Sequence, residues 1–404
     1  GKEKKLYFLE NLKEAKIIFS HLNKNSKISQ VMFVGGCVRK ALKDENIDDI
    51  DLATSIQPND VKDILLKEDI RVIETGISHG TVTAILNKIK FEITTLREDI
   101  TTDGRHANVQ FTKSWENDAS RRDITINAIY ADIDGKIFDP LNGVYDLQNG
   151  LVQFIGSPEE RIQEDYLRIL RFIRFFIQYS KIDIDINTLQ SIKKNINGLN
   201  QISNERIFDE IKKILSLKNI NDLFTNNQLK EIFLKMFPQF KFYERINIFN
   251  NLSKKLKDEY SYIDKLALLI IDETDNYDFF CFKYKVSNNI KKKLKKISEY
   301  YKDFKSKGFS SHENIKKLIY LNNKEIVRDI LLFLKCSDNK FKSLDLEQIL
   351  DFVNKYKIPK FPISGETLKE YGYKSGKDLG NKLKILEKNW IDNNFIINKK
   401  FLDK

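Results

Sequence analysis

Val31-Met32-Phe33-Val34-Gly35-Gly36-Cys37-Val38-Arg39, followed shortly by Asp49-Ile50-Asp51-Leu52-Ala53-Thr54, is the stretch whose reading decides the fold. A short apolar run ends in paired glycines and passes into a helical stretch from Cys37, the pattern of a strand, a tight turn and a helix. Such a turn lets backbone N–H groups approach phosphate oxygens, and Arg39 adds a fork of donors. Asp49 and Asp51 stand two apart on the next strand and so share a face, while Asp48 points the opposite way. Each feature has a plain reading, a tight connection and a solvated strand edge. Glu92 alters the balance, because in Phe91-Glu92-Ile93-Thr94-Thr95 it is a third acid among apolar neighbours. Carboxylates held together repel unless a divalent cation neutralises them, so the set points to metal-dependent phosphoryl or nucleotidyl transfer.

Working outward, residues 6–22 read as an amphipathic helix and Pro58 opens another. Two alternating runs, Thr81–Leu86 and residues 90–95, are joined through Asn87-Lys88 at hairpin spacing. Residues 1–139 are therefore expected to hold one mixed sheet with helices. From Pro158 to about residue 357 the chain has helical periods with few prolines or glycines. Ile358-Pro359-Lys360-Phe361-Pro362 then introduces a compact terminal unit punctuated by Gly365, Gly372, Gly376 and Gly380. The class is α+β, a sheet-bearing head followed by helices.

Charge is unevenly distributed. The chain of 404 residues carries net +11, but residues 1–150 carry 21 Lys+Arg and 24 Asp+Glu, net −3, leaving net +14 for residues 151–404. A near-neutral head with clustered acids suits metal-dependent chemistry and a basic remainder suits a polyanion. Cys37, Cys281 and Cys336 are odd in number and far apart, which supports neither a disulfide framework nor a zinc site and fits a reducing compartment. The longest apolar stretch, residues 266–271, is far below the ~20 residues that span a bilayer, so no membrane association is expected.

Two further segments carry chemistry. In Arg121-Arg122-Asp123-Ile124-Thr125-Ile126-Asn127-Ala128, a helical reading puts Asp123 and Asn127 on one face, able to read ribose hydroxyls, with the arginine pair able to hold phosphate. In Glu164-Asp165-Tyr166-Leu167-Arg168, continuing to Arg171 and Arg174, Asp165 and Arg168 fall at i and i+3, acceptor and donor on one helix face. Alone, each segment is equally well a charged helix surface.

In order along the chain, these segments with His79-Gly80-Thr81-Val82, Asp103-Gly104-Arg105-His106, Asp139-Pro140, Gly143, Asp146-Leu147 and Asn204-Glu205-Arg206-Ile207 resemble the class II tRNA nucleotidyltransferases, the CCA-adding enzymes and their poly(A) polymerase relatives. The glycine-punctuated end, with Trp390, is similar to the tRNA-binding tail of alphaproteobacterial-type members. One departure is Lys40, where the family has Asp after Val-Arg.

The resemblance implies a polymerase-β-like head (1–139), a neck with the nucleotide-selecting helix (140–200), a helical body (201–270) and a tRNA-binding tail (271–404). It implies CCA addition to tRNA from CTP and ATP, with Asp49 and Asp51 binding two Mg²⁺ and Glu92 in support. Gly35, Gly36, Arg39, Arg122, Asp123, Asn127, Asp165, Arg168 and Arg171 would bind nucleotide, and a flexible loop would carry Asp103, Gly104, Arg105 and His106. The partner would be the 3′ end and acceptor/TΨC arm of tRNA, in a bacterial cytosol or a mitochondrial matrix. An A-adding or poly(A) specificity within the family, and an RNA-binding protein with a decayed head, are the alternatives; intact Asp49, Asp51 and Glu92 argue against the second. Oligomeric state has no signature in the sequence.

Overall fold

The computed structural model describes residues 12–24, 26–28, 30–102, 107–309 and 311–402. The expected first helix is present as Lys13–Leu22, with residues 6–11 of that expectation outside the described residues. Strands β1 (Val31–Val34), β2 (Ile50–Thr54), β3 (Arg71–Gly76), β4 (Thr81–Leu86), β5 (Ile89–Thr95), β8 (Tyr130–Ala131) and β9 (Ile137–Phe138) form a sheet in the order β3-β4-β5-β2-β1-β8-β9. It is mixed: β2 and β5 run parallel, and the other pairs are antiparallel.

The β4–β5 turn follows from its sequence. Asn87 and Lys88 both take positive φ, 50° and 67°, the geometry of a two-residue turn whose twist matches the strands it joins. Helices Lys13–Leu22 and Pro58–Lys67 pack together, and Phe19 meets Phe33 of β1 at 4.7 Å between ring centroids. The expectation of one sheet needs correction, because β6 (Arg97–Thr102) and β7 (Ala107–Phe111) pair as a separate antiparallel ribbon. A loop is the expectation there because Thr, Asp and Gly suggest turn chemistry; Val109-Gln110-Phe111 does alternate, and the fully charged Arg97-Glu98-Asp99, which carries no strand pattern, pairs with it.

The chain divides into two compact units, Gly1–Ile232 and Phe233–Lys404. In the first, the head is followed by helices Gly143–Asn149, Pro158–Glu164, Arg168–Tyr179, Ile186–Asn195 and Asn204–Leu215. Ser157 accepts from the Glu160 amide while Pro158 takes the first helical position, and Ser203 likewise caps the helix from Asn204. The Arg168–Tyr179 helix buries Ile169, Leu170, Phe172, Ile173 and Phe175.

The second unit is helical throughout its described residues. Its core includes a cluster of packed rings, Phe233, Phe237, Phe240, Phe280 and Tyr284, and the buried helix Lys324–Ser337. The terminal helices Gly365–Glu370 and Lys377–Asp392 close over Leu368, Leu379, Leu386 and Leu402. All three cysteines are buried and free, and no described helix is long and apolar enough to cross a membrane.

Candidate active site

The acids of the head meet where β2 lies against β5. Asp51 stands directly opposite Glu92 in the parallel register. Burial, with Glu92 within hydrogen-bonding reach, raises the Asp51 carboxyl well above the ordinary carboxylate range. Asp49 is exposed, just before β2 begins, and adds to the negative field on Asp51, whereas Arg122 opposes it. Asp49 therefore stands outside the ladder rather than on the strand. Asp48 pairs with Lys40 at 2.7 Å, so the lysine that departs from the family pattern has a partner.

Gly35 caps the helix Gly36–Leu42 with φ 72°, a conformation in which any Cβ is strained. Arg39, expected at the phosphates, is instead 5% exposed. Its Nη1 donates to Asn127 Oδ1 and its Nε to the Tyr179 hydroxyl at 3.0 Å, and its guanidinium lies 4.7 Å from the Phe175 ring centre. This neighbourhood differs from an open phosphate ligand's.

The segment after Arg121 is not the continuous helix that the spacing suggested. The Trp115–Ser120 helix stops, the chain extends, and a 3₁₀ turn forms over Thr125–Asn127. Asp123 and Asn127 still meet, Nδ2 donating to Oδ1 at 3.2 Å, because the turn folds back. The neighbouring family residues hold it there. Asp146 accepts from the Thr125 hydroxyl at 2.5 Å and from Gln153 at 2.9 Å, and Asp139 caps the Gly143 and Val144 amides. A Cβ on Gly143 would lie 2.4 Å from the Thr125 carbonyl oxygen, so only glycine permits this approach. Asp123 accepts from Arg171 Nε at 2.7 Å; burial would raise its carboxyl, but Arg171 and Arg168 outweigh that and hold it far below the usual range.

Asp165 and Arg168 also depart from the simple helical pair. Asp165 ends the helix Pro158–Glu164 in extended geometry and Arg168 begins the next one. The Asp165 carboxylate accepts from Arg206 Nη2 at 2.7 Å, while Arg168 binds Glu164 and the Arg121 carbonyl oxygen at 3.2 Å. Arg206, Glu210, which pairs with Arg174 at 2.9 Å, and Tyr179 were not singled out as site residues. Arg206 lay within a recognised segment, whereas nothing in the sequence marks Tyr179. Asp103, Gly104, Arg105 and His106 lie outside the described residues.

The donor set fits Mg²⁺, a hard cation that takes carboxylate oxygens: Asp51 and Glu92 face each other and stay uneasy without positive charge between them. Among the described residues no three acidic, histidine or cysteine side chains are already gathered as a metal site.

A mixed sheet presenting paired carboxylates, followed by basic helices, is the architecture of a nucleotidyltransferase that acts on a polyanion. Residues 31–153 match the Poly A polymerase head domain, and residues 181–242 match the probable RNA and SrmB-binding site of polymerase A. The mitochondrial CCA tRNA nucleotidyltransferase 1 of Mus musculus is 34% identical over 410 residues, 95% of this chain and 86% of that one. The CCA-adding enzyme of Ligilactobacillus salivarius is 32% identical over 92% of this chain and 91% of that one. The crystal structure of Bacillus stearothermophilus CCA-adding enzyme in complex with CTP superposes with a TM-score of 0.70 at 22% identity, covering 96% and 94% of the two chains. The chain belongs to the CCA-adding tRNA nucleotidyltransferase family and is a nucleotidyltransferase.

Proposed function

We propose that this protein builds or repairs the 3′-terminal CCA of tRNA from CTP and ATP, the tRNA 3′-hydroxyl attacking the α-phosphate and pyrophosphate leaving. The observation that carries this reading is the continuity of Arg121-Arg122-Asp123. Arg122, bonded to Asp118 at 3.1 Å, adds its charge to the field on Asp51, Asp123 grips Arg171, and the Arg121 carbonyl holds Arg168, so the reacting acids and the neck arginines share one frame.

Asp49 and Asp51, with Glu92 in support, would hold the Mg²⁺ ions, which supply Lewis-acid activation of the attacking and leaving oxygens. The Gly35-Gly36 turn approaches the triphosphate, and Arg122 adds positive charge beside the acids. Asp123 and Asn127 meet the ribose. Asp165, steadied by Arg206, accepts from the exocyclic amino group of cytosine or adenine, and Arg168 donates to the adjacent ring nitrogen. Uracil and guanine present a carbonyl oxygen there and leave Asp165 facing an acceptor. The head spans residues 1–139, the neck 140–200, the body 201–270 and the tail 271–404, with the basic helices taking the acceptor and TΨC arm. A bacterial cytosol or mitochondrial matrix suits such an enzyme, and the mitochondrial relatives support the second.

Primer extension on three tRNAs, ending before CCA, after C and after CC, with CTP and ATP supplied separately, tests the reading. CMP should enter the first two and AMP the third. Incorporation of AMP alone would make this an A-adding or poly(A) enzyme, and no incorporation would support a decayed head.

A further inference from the structure

Asn127 sits in a chain of contacts that its neighbours fix completely. Arg39 can only donate, so the Asn127 atom facing it is Oδ1. Asp123, held ionised by Arg171 and Arg168, can only accept, so the atom facing it is Nδ2. The amide orientation is therefore set from both ends, and one N–H of Nδ2 remains for an acceptor such as a ribose hydroxyl.

What fixes Arg39 is Tyr179. This last residue of the Arg168–Tyr179 helix accepts from Arg39 Nε at 3.0 Å and donates its own hydroxyl proton to Glu45 at 2.8 Å. Its ring and that of Phe175 lie 5.4 and 4.7 Å from the guanidinium carbon. Burial pushes the Tyr179 hydroxyl up to about 12, so it keeps the proton that Glu45 accepts. Without the hydroxyl, the Arg39 fork loses one of its two side-chain partners and is free to rotate over Phe175.

We propose that Tyr179, tethered by Glu45, is a positioning residue for sugar selection: it aims Arg39, which in turn locks the Asn127 amide with its N–H toward the nucleotide ribose. This rests on the reading of Asn127 as a ribose contact. The far end of the Arg168–Tyr179 helix then has a task separate from base choice, which belongs to Arg168 at its start and to Asp165 at the end of the preceding helix. Since both bases carry the same sugar, the effect is equal for CTP and ATP.

The test is the ratio of kcat/KM for ribonucleotide over 2′-deoxyribonucleotide, with CTP and dCTP on tRNA lacking CCA, and with ATP and dATP on tRNA ending in CC. Tyr179→Phe keeps the ring and its packing, and a melting curve checks that it folds as the parent does. It should lower both ratios about three- to tenfold, as losing one hydrogen bond allows, mainly through ribonucleotide KM. Glu45→Ala should do the same in part. Asn127→Ala should collapse the ratio, and adding Tyr179→Phe should then change nothing further. If Asn127→Ala collapses the ratio but Tyr179→Phe leaves it unchanged, Tyr179 is packing alone and the proposal falls. If Asn127→Ala leaves the ratio intact, the ribose reading itself falls, and the proposal with it.

Discussion

Asp51 on β2 and Glu92 on β5 occupy directly opposed positions in the parallel pair of the head sheet. Like charges placed so are destabilising, and the partial burial of Asp51 adds to the cost, while Glu92 itself is exposed. Glu92→Gln should therefore raise the melting temperature, by the equivalent of about 0.5–1 kcal/mol, while lowering CMP and AMP incorporation together by about 10–100-fold. Asp49→Ala and Asp51→Ala should abolish both incorporations and leave tRNA binding in place. Loss of one nucleotide's incorporation only would contradict a shared metal role.

Asp165 is held by Arg206 at 2.7 Å rather than by Arg168. Asp165→Ala should relax discrimination against UTP and GTP by about tenfold or more, since the penalty for facing a carbonyl disappears. Arg206→Ala should relax it in the same direction by less, because the carboxylate remains but loses its aim. Misincorporation measured with single nucleotides on tRNA lacking CCA separates these from a merely destabilised neck, in which selectivity would not move.

The head was legible in the sequence because its signals are local. Paired glycines after an apolar run and a two-residue hairpin turn each act within a few residues, as does the Ser157-Pro158 helix start in the neck. Several of the departures concern partners distant in sequence. Asp123 and Asn127 meet through a 3₁₀ turn pinned by Asp146 and Asp139, and no periodicity encodes that. The partner that orients Arg39, Tyr179, is 140 residues away and has no local signature. The β6–β7 ribbon is hard to read because Arg97-Glu98-Asp99 is charged throughout and only Val109-Gln110-Phe111 alternates.

In the second unit, Asp264 on the helix Tyr262–Ile270 is raised far above the usual carboxylate value of about 4 by burial and by Asp329. Lys293 reaches Asp329 at 2.7 Å, the Ser261 amide donates to Asp264 at 2.9 Å, and Tyr260 lies in the field of both acids. A raised folded-state value means that the stability from this group is full below about pH 4 and is lost as pH rises through neutrality. Asp264→Asn should flatten that loss, stabilising the protein by about 1–2 kcal/mol above pH 7 and by little at pH 5. Melting curves from pH 5 to 9 give the comparison; parallel curves for the two proteins would show that the pair stays ionised throughout.

Residues 151–404 carry net +14. Binding of tRNA should weaken steeply as salt rises, with a log–log slope of roughly −0.7 to −0.9 per phosphate neutralised, and mature tRNA should show the same slope. Lys→Glu changes in the terminal helices should raise tRNA KM without moving nucleotide KM. A flat salt response would place the affinity in contacts other than phosphate.

The β6–β7 ribbon is fastened at its base to the elements that hold the nucleotide-selecting residues. The Arg97 amide donates to Asp118 at 3.1 Å, and Glu98 accepts from Gln110 and, at 2.9 Å, from Asn117. Immediately beyond that helix, the carbonyls of Ser120 and Arg121 take hydrogen bonds from Arg161 and Arg168, each at 3.2 Å. A movement of the ribbon thus has a packed route to Arg168, and with the base-selecting role proposed for Arg168 that route reaches the choice between purine and pyrimidine. Shortening residues 100–108 should leave a product ending in CC, with CMP addition near normal and AMP addition lost. Glu98→Ala, which loosens the base but keeps the ribbon, should lower AMP addition about three- to tenfold more than CMP addition. Equal loss of both activities would mean general damage to the head, and complete CCA synthesis by the shortened protein would show that the ribbon takes no part in the switch.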